Sequence, residues 1–176
     1  FPRDFARVKT VVPWIQYVAY CLSGKLVTEI SGMACQSHLL NIRDGGYSSL
    51  VKRMGWEPLF PPMAKAWETI GTLRGEFLGN GFRGRGNVLA GVHDSNANYL
   101  RYLAGGQKKF TLLSTGTWII GFDTETGLAS LIEEKDTVSN TDVFGNRVGS
   151  GRFFGGREFE IVSGGASGDM ASLPAV

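Results

Sequence analysis

The chain has 176 residues, of which 43% are hydrophobic and 19% are charged. This composition is typical of a globular protein that can bury a core, and it excludes an intrinsically disordered segment. The net charge of +2 argues against a nucleic-acid-binding surface, which would concentrate lysine and arginine on one face. The 25 glycines follow no repeat, so they exclude collagen and indicate tight turns and close backbone contacts.

The two cysteines, Cys21 and Cys35, lie in apolar segments with helical spacing. We interpret them as small buried residues in a reducing compartment rather than as a disulfide framework, and we expect a cytoplasmic location. No apolar run approaches the roughly 20 residues that a membrane span needs, so no membrane partner is expected. The sequence starts at Phe1 without an initiator methionine, which leads us to expect an internal fragment of a longer protein.

The first half of the chain predicts two helices, one strand and a hinge. Apolar residues recur at helical spacing over residues 11–23, and Gly24 follows as a C-cap. A strand is predicted over Leu26–Ile30. Ser48 is the predicted N-cap of a second helix that ends at Gly55. The glycine-rich and basic stretch 71–86 indicates a hinge or a domain boundary.

The second half predicts further strands around one helix. A short strand over residues 87–91 precedes a helix over 96–103. Two apolar runs, residues 110–113 and 118–122, flank a small-residue turn and therefore predict a β-hairpin. The glycine and aromatic residues between Phe144 and Phe159 predict one more strand with loops. Helices and strands that alternate in this way indicate the α/β class.

Asp94 is the first candidate for chemistry, within the segment Gly-Val-His-Asp-Ser-Asn-Ala at positions 91–97. A carboxylate at a strand-to-helix turn lies near the helix N-terminus, where the dipole favours its ionised form. Such a carboxylate can accept a proton from a hydroxyl that attacks phosphorus. The spacing alone favours the other interpretation, in which Asp94 is an N-cap only.

The second candidate is the turn Ser114-Thr115-Gly116-Thr117-Trp118. A turn of small hydroxyl residues around glycine can present backbone amides and hydroxyls to phosphate oxygens. An ordinary hairpin turn is the alternative interpretation. The segment lacks the lysine of a Walker A loop, which argues against a P-loop nucleotidase.

The order of these two segments resembles the FGGY carbohydrate kinases, where a Gly-x-His-Asp segment precedes a Ser-x-Gly-Thr-Trp turn. Leu22-Ser23-Gly24 is similar to the family's Leu-Thr-Gly at the end of a helix. Residues 28–31, Thr-Glu-Ile-Ser, look like its Thr-Asp/Glu-x-Ser/Thr segment. Pro61-Pro62 followed by Gly71 resembles its linker between lobes. The resemblance covers residues 10–160. Its motifs look most like those of rhamnulose and fuculose kinases, and next most like those of xylulose and ribulose kinases.

The resemblance implies a partial actin-like ATPase (ribonuclease H-like) fold. Residues 1–78 would be the C-terminal part of the N-terminal lobe, and residues 79–176 the N-terminal part of the C-terminal lobe. It implies ATP-dependent phosphorylation of a sugar hydroxyl, in a ketose, with Mg²⁺ bridging the phosphates. The implied partners are the sugar and ATP, with no nucleic acid, and a homodimer is left open.

The same resemblance assigns roles to individual residues. Asp94 would be the general base, and His93 would border the sugar. Further sugar contacts are expected from Asn96, Trp14 and Gln16. The ATP phosphates would lie against the turn formed by Ser114, Thr115, Gly116 and Thr117.

Two family segments have no counterpart in the sequence: the N-terminal Asp-x-Gly-Thr phosphate loop and the later glycine-rich adenosine segment. Residues 164–168, Gly-Gly-Ala-Ser-Gly, come too early for the latter and are interpreted as a flexible end. We therefore expect that these 176 residues alone do not phosphorylate a sugar. The alternatives are an inactive fragment and a sugar-binding or regulatory module on the same fold.

Overall fold

The computed structural model describes residues 2–35, 37–79, 84 and 86–164. Within them the helices are α1 (Pro2–Phe5), α2 (Trp14–Ser23), α3 (Ile30–Ala34), α4 (Ser49–Met54), α5 (Asp94–Ala104) and α6 (Gly155–Val162). The strands are β1 (Thr69–Thr72), β2 (Asn87–Leu89), β3 (Thr111–Ser114), β4 (Ile119–Asp123), β5 (Thr137–Thr141) and β6 (Arg147–Phe153). The α/β class predicted from the sequence is confirmed.

The strands form two antiparallel sheets. β1 and β2 pair with each other, and the larger sheet has the order β3-β4-β6-β5. The predicted hairpin is confirmed, because β3 and β4 are adjacent and antiparallel, with Leu112 opposite Phe122. The boundary predicted between residues 78 and 79 lies in the connection between β1 and β2.

The predicted C-cap of α2 and both predicted caps of α4 are confirmed, whereas α2 begins at Trp14 rather than at residue 11. α2 follows Pro13 and ends at Gly24, which has a left-handed conformation with φ of 75°. α4 follows Ser48, whose hydroxyl accepts a hydrogen bond from the Val51 amide at 3.3 Å. Its C-cap is Gly55, with φ of 65°. Glycine adopts this left-handed backbone without the steric cost that a β-carbon adds.

The strand predicted over Leu26–Ile30 is wrong. Thr28 forms only an isolated parallel bridge with Met63, and the chain then enters α3. Glu29 is the N-cap of α3, and its carboxylate accepts a hydrogen bond from the Gly32 amide at 3.1 Å. This cap satisfies an amide of the first helical turn, which favours the helix over an extended segment.

The strand predicted between Phe144 and Phe159 is β6, but two neighbouring elements were not predicted. β5 precedes it and forms the edge of the larger sheet, and α6 follows it. α6 was missed because it begins with Gly155 and Gly156, and glycine is a poor helix former. Of the flexible end predicted at 164–168, residues 165–168 lie outside the described residues.

The core that positions the site lies between α5 and the larger sheet. Tyr99 of α5 is buried with Leu112, Ile120, Phe122 and Val148. The Tyr99 ring centroid lies 5.2 Å from that of Phe122, at a tilt of 40°. Burial of these side chains fixes how α5 lies across the hairpin. None of the helices in the described part of the chain has the length and apolar character needed to cross a membrane.

We predict that Phe122→Ala lowers the free energy of unfolding by about 3–5 kcal/mol, because truncation of a buried aromatic leaves a cavity. Phe122 is 1% exposed. Phe159→Ala is the matched control, since Phe159 is 66% exposed and should cost less than about 1 kcal/mol. Urea unfolding measures both, and equal losses would contradict this description of the core.

Candidate active site

Asp94 and the hairpin turn line the same cavity, which has a volume of about 280 Å³. His93 and Ser95 accompany Asp94 on one side, and residues 114–118 form another side. Cys35 and Asn140 complete the polar lining. The structure therefore brings together two segments that are about twenty residues apart in the sequence.

Asp94 is the first residue of α5, and its side chain is 93% exposed. His93, rather than Asp94, occupies the N-cap position, and its side chain makes no capping hydrogen bond. The Asp94 Oδ1 atom accepts a hydrogen bond from the Ser95 amide at 2.7 Å and lies 3.1 Å from His93 Nε2. Hydrogen bonds from the described residues reach Oδ1, and none among them uses Oδ2.

Two neighbours of Asp94 are uncharged at neutral pH. Burial lowers the pKa of His93, although the negative charge of Asp94 opposes this shift. Burial raises the pKa of Cys35 to about 11, and the charge of Asp94 adds to the effect. The Cys35 Sγ atom lies 3.2 Å from His93 Nε2. The site thus places one carboxylate beside a neutral imidazole and a protonated thiol.

The turn between β3 and β4 has open hydrogen-bonding groups. Thr115, Gly116 and Thr117 are exposed, and no hydrogen bond among the described residues uses their backbone amides. The Ser114 hydroxyl accepts a hydrogen bond from the Asn98 side chain at 3.4 Å, which ties the turn to α5. Unpaired amides and hydroxyls in one turn can hold an anion.

The start of α6 packs closely against the backbone of this turn. A β-carbon at Gly156 would overlap the carbonyl oxygen of Gly116 and lie 3.0 Å from the Thr117 Cα atom. Only glycine therefore permits the observed approach of α6. Trp118 packs on Phe154, with ring centroids 4.4 Å apart, so the turn is fixed at both of its ends.

Three other residues predicted to contact the sugar lie outside the cavity lining. Gln16 is fully buried, and its Nε2 donates to the Ala90 carbonyl at 3.1 Å and to that of Gly91 at 3.4 Å. Asn96 is buried in the first turn of α5. Trp14 is 74% exposed and lines a second, apolar cavity of about 570 Å³ between α2 and β2.

Sequence reasoning missed three residues of the site. Cys35 was interpreted as a core residue, whereas it is half-buried and faces the cavity. Asn140 lies on β5, which was not predicted. Gly156 could have been found, because adjacent glycines after an aromatic pair indicate a close backbone approach. No comparable signal marks Cys35 or Asn140.

Comparison with known proteins agrees with this geometry. Residues 107–175 match the family model of the carbohydrate kinase FGGY C-terminal domain. A carbohydrate kinase from Novosphingobium aromaticivorans shares 39% identity and superposes with a TM-score of 0.74, covering 86% of this chain and 34% of that one. The chain is therefore similar to the FGGY carbohydrate kinases, with the family model covering residues 107–175.

Two more distant solved structures share the fold of this chain. A xylulose kinase from Rhodospirillum rubrum is 16% identical, with a TM-score of 0.66, over 99% of this chain and 38% of that one. A ligand-bound xylulose kinase from Lactobacillus acidophilus is 15% identical, with a TM-score of 0.69, over 92% and 33% respectively. The fold is thus part of the predicted actin-like ATPase fold. This chain spans about a third of the length of the solved kinases it matches, and the search of curated proteins found no match.

We predict slow alkylation of Cys35 by iodoacetamide in the native protein. With a pKa of about 11, the thiol carries about a hundredth of the thiolate of an ordinary cysteine at pH 7.5. The labelling rate, followed by peptide mass spectrometry, should rise about tenfold per pH unit between pH 7 and 9. The same cysteine in the urea-unfolded protein is the control, and an equal rate in both states would contradict the prediction.

Proposed function

We propose that the complete protein containing this chain transfers the γ-phosphoryl group of ATP to a hydroxyl of a small sugar. The observation that carries the proposal is the shared cavity of the Asp94 carboxylate and the 114–117 turn. Phosphoryl transfer needs little covalent chemistry from the protein, so catalysis consists mainly of positioning and charge stabilisation. A base for the hydroxyl and a cradle for phosphate are the two parts this cavity supplies.

Asp94 acts as the general base in this proposal. Its Oδ2 atom accepts no hydrogen bond from the described residues, while Oδ1 accepts one from the Ser95 amide. The carboxylate takes the proton of the sugar hydroxyl as the hydroxyl oxygen attacks phosphorus. The neutral His93 borders the same sugar, and because it carries no positive charge it leaves Asp94 free to accept that proton.

The hairpin turn holds the phosphates. The amides and hydroxyls of Thr115 and Thr117, with the amide of Gly116, face solvent and can donate to phosphate oxygens. Among the described residues there is no cluster of three metal-ligating side chains. Magnesium keeps several waters and binds through phosphate oxygens, so few dedicated protein ligands are needed. The ion would neutralise charge on the transferred group.

We assign the sugar to the ketoses and keep the two-lobe division at residues 78 and 79. Two neighbours of the same fold are named xylulose kinases, and xylulose is a ketose. Cys35 comes from the first lobe of this division, whereas Asp94 and the turn come from the second. The site would then lie between the lobes.

Gln16 supports the site by holding the backbone at Gly91, three residues before Asp94, and Asn96 is buried in the first turn of α5.

Trp14 is the remaining predicted sugar contact, and its surroundings are apolar. A tryptophan ring can stack on the apolar face of a sugar, so we retain this residue as an outer contact of the sugar in the complete enzyme.

We predict that Asp94→Asn in the complete protein lowers kcat at least about 100-fold for ATP-dependent phosphorylation of a ketose. The amide keeps the shape of the side chain but removes the base. A coupled ADP-release assay over a panel of ketoses measures the effect. Asp4→Asn, at an exposed position of α1, is the control and should retain full activity. A loss below about tenfold for Asp94→Asn would refute the general-base role.

We predict that Gly156→Ala raises the KM for ATP at least about tenfold and changes the KM for the sugar less than about twofold. The added methyl displaces Gly116 and with it the phosphate cradle. Gly127→Ala is the control, because a β-carbon there meets no atom within 4 Å. An unchanged KM for ATP in a folded Gly156→Ala protein would show that the turn does not bind the nucleotide.

A further inference from the structure

Glu29 is a fully buried acidic residue in the first half of the chain. It does not line the catalytic cavity, and its Oε1 atom has no hydrogen-bond partner among the described residues. Its Oε2 atom accepts two hydrogen bonds, from the Gly32 amide at 3.1 Å and from the Ser31 hydroxyl at 2.6 Å. Burial raises the pKa of Glu29, and the hydrogen bonds from Ser31 and Gly32 oppose that shift.

The Ser31 hydroxyl connects the Glu29 carboxylate to the backbone at His93, the residue before Asp94. Ser31 is itself fully buried, and its Oγ accepts a hydrogen bond from the His93 backbone amide at 3.1 Å. The two residues are 62 positions apart in the sequence. A continuous chain of hydrogen bonds therefore runs from Glu29 through Ser31 to the amide that immediately precedes Asp94.

Glu29 determines which groups donate and which accept in these hydrogen bonds. A serine hydroxyl has one proton and can rotate to donate it to several acceptors. Because the proton is committed to the Glu29 carboxylate, the lone pairs of Oγ remain available to the His93 amide. An O–H group that donates to a carboxyl oxygen also becomes a better acceptor, so the two bonds strengthen each other.

Capping of α3 does not require this arrangement. The bond from the Gly32 amide to Glu29 satisfies the helix start by itself. The second bond, to Ser31, serves the segment that carries the catalytic carboxylate rather than α3. A buried carboxyl group with one unpaired oxygen is costly for stability, which indicates a purpose other than stabilisation of α3.

We propose that Glu29 and Ser31 are positioning residues for the segment His93–Asp94 at the start of α5. They hold the backbone at His93 so that the Asp94 carboxylate stays aimed at the 114–117 turn. This inference rests on the proposed function, because it assigns the pair a role in the same reaction. Neither residue touches the cavity, so both act through the backbone of residue 93.

The role predicts a specific kinetic signature. A displacement of about 1 Å at a reacting group can reduce the rate about 100-fold, so loss of the Ser31 bond should appear in kcat. The KM for ATP should change little, because the phosphate-binding turn is held by α5 and α6 rather than by Ser31. A general loss of fold would instead reduce the fraction of active protein without this separation.

The test uses Ser31→Ala in the complete protein, with kcat and the KM for ATP measured at saturating ketose. We expect kcat to fall at least tenfold and the KM for ATP to change less than twofold. Ser48→Ala is the matched control, since it also removes a hydroxyl that binds a backbone amide, but at the start of α4. Its kcat should equal that of the wild type, although its Tm falls.

A second set of variants tests the carboxylate and guards against misfolding. Glu29→Gln keeps an oxygen that accepts from Ser31 and should retain kcat within about threefold, whereas Glu29→Ala should resemble Ser31→Ala. Ser31→Cys preserves the buried volume with a weak hydrogen-bonding group, so it tests the same bond without leaving a cavity. It should also lose at least tenfold in kcat.

The outcomes separate this inference from the proposed function. If Asp94→Asn is inactive while folded Ser31→Ala or Ser31→Cys keeps the wild-type kcat, the positioning role is refuted and the general base stands. If Glu29→Gln loses as much activity as Glu29→Ala, the accepting oxygen is not what matters and the inference is equally refuted. If the wild type phosphorylates no ketose, the proposed function itself fails.

Discussion

The packing of α5 across the larger sheet is the constraint on which the candidate site depends. Tyr99 is buried against Phe122 and Phe110, with ring centroids 5.2 Å away in each case. α5 begins at Asp94, and the 114–117 turn connects β3 and β4 of the hairpin. This apolar contact therefore places the Asp94 carboxylate and the turn in the lining of the same cavity. A polar contact between Asn98 and Ser114 fixes their relative position more closely.

The first half of the chain reaches the same region through polar groups rather than through an apolar core. Gln16 donates to the carbonyls of Ala90 and Gly91, and Ser31 accepts from the His93 amide. Buried polar groups cost free energy unless they are hydrogen-bonded, so such contacts stabilise the fold less than apolar packing does. Their directionality, however, specifies one backbone path for residues 90–93. Apolar packing thus determines which elements meet, and hydrogen bonds determine how the segment that carries Asp94 is oriented.

The electrostatics of the cavity follow from burial. Desolvation keeps the imidazole of His93 and the thiol of Cys35 uncharged at neutral pH, so Asp94 carries the charge among these three neighbours. A single exposed carboxylate beside neutral groups suits a reaction in which a sugar hydroxyl loses a proton near a negatively charged phosphate. The close approach of α6 at Gly156 adds rigidity where a phosphate would be held.

The sequence by itself determined the features that depend on local signals: the C-cap of α2, the caps of α4, the β3–β4 hairpin, and the Asp94 and 114–117 segments of the site. Each of these follows from turn and cap chemistry within a few residues. Only the tertiary structure decided that Cys35 faces the cavity and that Gln16 and Asn96 do not. These outcomes depend on contacts between residues as many as 75 positions apart, and such contacts leave no periodic or local trace in a single sequence.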